Sequence, residues 1–270
     1  MLIRKIPNTL CPKGGIKMST LETVKSKFIS IAEKAALHDQ EIVVRAACLT
    51  PEEAIGRPKR KDYPIIRGKE QMVEADFLGA KGQAFTDEPI AFSGTLQDIL
   101  TLPLESNGNR ALFISTLNAV LNHLGMVEGT VHCKNEEPEH CADEIAAHIL
   151  RTHGKDVSIG LVGFNPAIAE RLIGTFGNCH VAISDLFDGN IGATRFGVDI
   201  QDGSERVNAL VSFADVLIVT GTTIGNDTFD AIRTAAENAG KAYYIFGVTG
   251  AGAAALTGIN RLCFCSHRCR

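Results

Sequence analysis

The chain has 270 residues, 45% of them hydrophobic and 21% charged, and carries a formal net charge of −4. That composition suits a globular protein with a large core and room for two domains. It excludes a global basic field for nucleic acid, and no apolar run approaches the roughly 18 residues of a membrane-spanning helix.

Residues 1–17 carry charge, Pro and Gly but no apolar h-region, so a loose tail is expected rather than a signal peptide, with Met18 a candidate start. The expected location is cytoplasmic. Eight cysteines in such a chain are expected to be free, buried or metal-binding rather than paired.

Leu21, Val24, Phe28, Ile31 and Ala32 recur at helical spacing, which predicts an opening helix over 20–37. Residues 41–48 read as a strand, followed by a loop to Asp62. In that loop Arg57, Lys59, Arg60 and Lys61 form a basic cluster, either an anion site or a solvated loop. Tyr63 to Arg67 is a candidate short strand. Val73, Ala75 and Phe77 alternate with acidic residues as in a half-buried strand. A turn at Gly79–Gly82 leads to a return strand over 83–92, and a short helix starts near Ser93 or Thr95. The helix expected over 109–124 is apolar almost all round, with Ser115, Asn118 and Asn122 as a polar stripe. Buried amides need partners, so Asn118 either bonds neighbouring backbone or faces a ligand between domains. These elements make 19–128 an α+β domain.

Residues 129–142 are polar and aperiodic and read as the linker. They hold His132-Cys133 and His140-Cys141, two pairs of thiophilic-metal ligand types in an unusual spacing. Cys263, Cys265, His267 and Cys269 alternate near the C-terminus. On a strand they would share one face, and the competing expectation is a last buried strand over 262–265 with a short tail.

From residue 143 to 270 strands alternate with helices, which predicts a Rossmann-like parallel sheet. A helix over 143–151 precedes strands at 157–163, 179–184, 215–220, 242–246 and 262–265, with helices at 165–172, 204–213 and 251–256 between them. The first turn, Gly160-Leu-Val-Gly163-Phe164-Asn165-Pro166, lacks the G-x-G-x-x-G fingerprint, and Asn165 and Pro166 suit a helix start. A dinucleotide is therefore not expected. S-adenosylmethionine, which needs no pyrophosphate site, stays open as the ligand of a transferase. Asp185 closes the second strand and opens a long glycine-rich loop to Val198, in which Asp188 and Asn190 add oxygen ligands. The 215–230 stretch runs from a buried strand through Gly221-Thr222-Thr223 to a helix after Asn226-Asp227, so the turn either binds a ligand or only shapes and caps the helix.

Together RALFISTLNAVLNHLG (110–125), VSIGLVGFNPAIAERL (157–172), DLFDGNIG (185–192), ADVLIVTGTTIGNDTFD (214–230) and the turn after Phe246 resemble the putative heavy-metal chelation family over roughly residues 20–265. The resemblance implies an enolase-N-terminal-like domain before the Rossmann-like one. It also implies a small-ligand or metal-complex site between them, with a role in metal chelation or metal-cofactor metabolism. Carried over by position, that site would use Asn118, Gly163, Phe164, Asn165, Asp185, Asn190, Gly221, Thr222 and Thr223. Both Cys/His clusters lie outside these motifs. The expected ligand is a small anionic or metal-chelating molecule, with a metal ion or metal complex as cofactor; catalysis and self-association into a homo-oligomer stay open.

Overall fold

Two sheets organise the chain, and one helix is held between them. The computed structural model describes residues 18–37, 43–68 and 70–266. Residues 1–17, His267 and Cys269 lie outside the described residues.

The first sheet has order β3-β2-β1-β4 and is antiparallel throughout. It is built from β1 (Val43–Leu49), β2 (Gln71–Phe77), β3 (Ala80–Thr86) and β4 (Phe92–Thr95). Helix α1 (Thr20–Lys34) precedes it, started by a reciprocal Ser19–Glu22 capping box. Short helices α2 (Pro51–Ile55) and α3 (Leu96–Thr101) follow β1 and β4. Leu78 and Gly79 both take positive φ, 52° and 83°, so β2 and β3 close through a two-residue turn whose twist matches the strands. Helix α4 (Asn107–His123) then lies across β2 and β3, with every residue from Arg110 to Leu121 buried. The apolar run Leu112-Phe113-Ile114 on top of the Leu117–Leu121 stripe leaves it no polar side to expose.

The second sheet has order β11-β10-β9-β5-β6-β8-β7. Its strands are β5 (Ile159–Val162), β6 (Val181–Asp185), β7 (Thr194–Arg195), β8 (Val198–Asp202), β9 (Val216–Thr220), β10 (Ala242–Phe246) and β11 (Arg261–Leu262). All pairs are parallel except β7–β8. In chain order the parallel strands lie as 3-2-1-4-5-6, the Rossmann arrangement, whose order reverses between β5 and β9. Helices α5 (Glu137–His153) and α6 (Pro166–Phe176) cover one face, and α7 (Val207–Phe213), α9 (Phe229–Asn238) and α10 (Ala251–Thr257) the other. The alternation along β9 shows why: Val216 and Ile218 join the α5–α6 core, while Leu217 and Val219 join the other. Both cores take residues from before and after 129–142.

Several sequence expectations shift. Tyr63 to Arg67 is a turn, not a strand; Ile66 N donates to Tyr63 O (3.0 Å), and the apolar Tyr63 and Ile65 serve as buried anchors. The return strand ends at Thr86, and Phe92–Thr95 pairs with β1 instead. The helix expected from Asp143 begins at Glu137, so Cys141 sits on a helix rather than in a linker. The loop after Asp185 ends in β7 and β8, a strand hidden from pattern reading by its alternating aspartates and Gln201. Among the described residues at the C-terminus only Arg261 and Leu262 pair, so Cys263 and Cys265 lie beyond the strand and the shared-face argument does not apply to them. Asn226 does not cap α9. Its Oδ1 accepts from Thr228 N and Oγ1 (3.3 and 2.7 Å), bridging α9 to α8 (Thr222–Gly225), a helical turn the sequence did not signal.

Candidate ligand site at the carboxyl end of the parallel sheet

The reversal of strand order sets the carboxyl ends of β5 and β9 side by side, where a parallel sheet opens a crevice for ligands. The turn after β5 runs through Gly163, at φ 86°; a Cβ there would stand 2.5 Å from the Thr220 methyl. Glycine is required here by both backbone and neighbour. Phe164 is buried, and Asn165 caps α6 by accepting from Ala167 N and Ile168 N, both at 3.1 Å. Asn165 is thus engaged as a cap, the plainer of its two roles.

Asp185, at the end of β6, gathers this edge. Its Oδ2 accepts from Phe164 N (2.7 Å) and Asn190 Nδ2 (3.3 Å), and its Oδ1 accepts from Phe187 N (2.7 Å). One carboxylate therefore joins the β5 turn to the glycine-rich loop. Asn190 is buried against it.

The β9 turn is built from its own threonines. Thr223 is buried and donates to Thr220 O (2.7 Å), while the hydroxyls of Thr220 and Thr222 share a 2.5 Å hydrogen bond. Gly221 serves close packing: a Cβ would meet Gly250 N at 2.5 Å, so the turns after β9 and β10 touch backbone to backbone. Thr220 and Thr222 are the half-buried hydroxyls of the set.

Asn118 is fully buried. Its Nδ2 donates to Gln83 O (3.0 Å) and Val248 O (3.1 Å), and its Oδ1 accepts from Gly252 N (2.7 Å). These bonds lock β3 to the turn after β10, the structural one of the two roles expected for this amide. The physical reason is that both amide hydrogens and the carbonyl already have backbone partners.

Four residues that pattern reading did not single out complete the edge. Glu70 is half-buried, yet its carboxyl sits deep enough for burial to push its pKa up to about 7, with Asp185 and then Asp87 adding repulsion. Asp87 accepts from Asn107 Nδ2 (2.8 Å). Asn107 Oδ1 in turn accepts from Arg110 Nη2 (2.5 Å), and Arg110 Nε donates to Gly225 O (2.6 Å) at the end of α8. This relay ties the antiparallel half to the Thr222 turn. Glu70 stands in a loop without periodicity, so no sequence signal singled it out. Among the described residues no three His, Cys, Asp or Glu side chains stand close enough to hold a metal ion directly.

In the basic cluster near residue 60 three of the four cations pair with carboxylates, while Lys61 Nζ donates to Pro58 O (2.8 Å). Arg60 pairs with Glu139 (2.7 Å), Asp62 (3.3 Å) and Glu170, Arg57 with Glu52 (2.6 Å), and Lys59 with Glu136 (3.9 Å). Among the described residues no helix is long and apolar enough to cross a membrane, and the described cysteines are free.

Residues 146–258 match the family model described as putative heavy-metal chelation. Among solved structures, the chain is similar to a protein of unknown function of that family from Pyrococcus horikoshii. The TM-score is 0.52 at 16% identity, covering 86% of this chain and 80% of that one. A second protein of unknown function from the family, from Desulfitobacterium hafniense DCB-2, gives a TM-score of 0.47 at 15% identity over 69% of this chain and 72% of that one. No curated protein matches the chain. The first of these likenesses supports the fold, and the chain resembles the putative heavy-metal chelation family, whose model its α/β half matches over residues 146–258.

Proposed function

We propose that the protein binds a hydrated or chelated metal cation where Asp185 meets Glu70 and Asp87. The observation that carries this reading is the buried Glu70 carboxyl, whose pKa burial raises to about 7 and to which Asp185 and Asp87, from the two halves, add repulsion. A free anion would meet repulsion there. A cation relieves it, and at a site of this kind the metal's own charge dominates the local electrostatics. Since no three described ligands stand in direct-coordination geometry, water or a chelating ligand fills the gap between metal and carboxylates. Magnesium-like ions keep such shells readily. The half-buried Thr222 hydroxyl and the turn at Gly163–Phe164 then orient the ligand. The family description, putative heavy-metal chelation, supports the same direction.

Isothermal titration tests this with Mn2+ and hexaamminecobalt(III), the latter an outer-sphere probe that cannot exchange its ligands. S-adenosylmethionine and inorganic phosphate are the competing ligands. The expected result is binding of a cation, weakened about tenfold or more by Asp185→Asn and by Glu70→Gln. Binding of phosphate or S-adenosylmethionine in place of the cations, or cation affinity unchanged in both variants, would sink the proposal.

A further inference from the structure

A cleft of about 650 Å³ opens where the 57–67 loop packs against the start of α5. Its cations are Lys59, Arg60, Lys61 and Arg67, and its carboxylates are Asp62, Glu136 and Glu139. The carboxylates are already engaged. Glu139 Oε1 accepts from Arg60 Nε (2.7 Å) and from Tyr63 OH (2.9 Å), and Asp62 Oδ2 accepts from Arg60 Nη1 (3.3 Å). Glu136 Oε1 accepts from the Lys59 backbone N–H (2.9 Å). Arg60 is engaged as well, since Glu170 pairs with its Nη2 and the Phe196 ring centroid lies 5.9 Å from its guanidinium carbon. The other three cations are left to a ligand. Arg67 is exposed and stands in no ion pair with a described carboxylate. Lys61 is exposed, and its Nζ donates to a neutral acceptor, Pro58 O (2.8 Å). The Lys59 side chain is 88% exposed, with its Nζ 3.9 Å from Glu136, at the outer limit of an ion pair.

We propose that this cleft binds a small molecule bearing two or more negative charges on phosphate or carboxylate groups. Arg67 supplies the planar fork that donates to such groups in pairs, and Lys59 and Lys61 supply point charges. What separates the cleft from a solvated basic loop is that the backbone carrying these cations is fixed before any ligand arrives. Arg57 N donates to Asn135 Oδ1 (2.9 Å), and Arg67 N donates to Tyr63 O (3.3 Å) and Pro64 O (3.1 Å). Pro58, Tyr63 and Ile65 are buried beneath the loop. A scaffold ordered in advance lowers the cost of binding. The basic cluster of the sequence is thereby redrawn. Arg57 pairs with Glu52 and does not line the cleft, Arg60 is its brace, and Arg67 joins it from the neighbouring turn. Arg67 lies three residues before Glu70, a chain reach of at most about 11 Å. The anion cleft therefore stands close to the carboxylate cluster without sharing a group with it, and it does not depend on the cation reading.

Calorimetry of the full-length, metal-stripped protein at low ionic strength tests this. Pyrophosphate and citrate are separate titrants, which distinguish a phosphate ligand from a carboxylate one. The wild type should bind at least one of them with one-to-one stoichiometry, and added salt should weaken the binding because the cations are exposed. Arg67→Ala should weaken it about tenfold. Arg67→Lys should weaken it less, since lysine keeps the charge and loses the fork. Lys61→Ala should weaken it several-fold. Both side chains are exposed, so neither substitution endangers the fold. Arg57→Ala and Glu70→Gln should leave the affinity undiminished, so failure of this cleft and failure of the carboxylate site read out separately. Three results each overturn the proposal: no heat from either titrant at millimolar concentration, affinity unchanged in both Arg67→Ala and Lys61→Ala, or binding lost in Arg57→Ala while Arg67→Ala retains it.

Discussion

Asn118 and Glu70 are both polar groups set between the two halves of the molecule, and they are treated in opposite ways. Asn118 has no exposed surface, and its amide is matched by three backbone partners at 2.7–3.1 Å. Glu70 keeps some solvent contact, and the charges of two further carboxyls, Asp185 and Asp87, act on it. A satisfied buried amide stabilises one packing arrangement, whereas an unsatisfied acidic group costs stability unless something else neutralises it. The first is the signature of a lock and the second of a site. Both lie on segments that pattern reading could only call buried or looped.

The largest effect should come from breaking the lock. Asn118→Ala strands Gly252 N and Gln83 O in the interior and leaves Val248 O only its bond from Ala251 N; at about 1–3 kcal/mol for each unsatisfied group, partly offset by entering water, it should cost about 3–4 kcal/mol. Urea denaturation measures this; a loss under about 1 kcal/mol would mean that the amide is not structural.

Next comes the wall shared by the β5 and β9 turns. Gly163→Ala forces a side chain onto φ 86° and against the Thr220 methyl, for about 2–3 kcal/mol. Thr220→Ser, which deletes that methyl, should restore the steric part in the double variant but not the backbone part. Full additivity of the two substitutions would argue that the turns are not in contact.

The smallest effect has the most informative pH dependence. Glu70 has a folded pKa near 7 against an ordinary value of 4.5. Between those pH values the native state holds a proton that the unfolded chain has lost, so its contribution falls as pH rises, and below 4.5 no penalty remains. Glu70→Gln mimics the protonated acid. It should therefore match the wild type at low pH and exceed it by about 1–2 kcal/mol at pH 8, after discounting for partial solvent access. A variant less stable than the wild type at pH 8 would remove Glu70 from the acidic cluster. A bound cation should erase the gap by stabilising the ionised carboxylate.

Much of the framework was legible from residue pattern. The apolar run Val216–Val219 and the Asn165–Pro166 start signal placed β9 and the start of α6 closely, because local hydrophobicity and capping chemistry are properties of neighbouring residues. Tyr63–Arg67 and Val198–Asp202 were misread for the converse reason. Two buried side chains in a turn imitate a short strand, and an aspartate-rich strand beside β6 imitates a loop. The site was legible only along the parallel sheet. Gly163, Asp185, Asn190 and Thr222 follow from strand ends, but Glu70, Asp87 and Arg110 join them across gaps of a hundred residues or so that no local signal spans.

The sequence by itself determined that a Rossmann-like sheet occupies the second half and which turns lie at its carboxyl edge, because strand and helix periods are written into consecutive residues. Only the tertiary structure decided the roles of individual polar groups. It satisfied Asn118 and left Glu70 among like charges. Whether a buried amide or acid is a brace or a site depends on its partners, and those partners come from chain segments that meet only on folding.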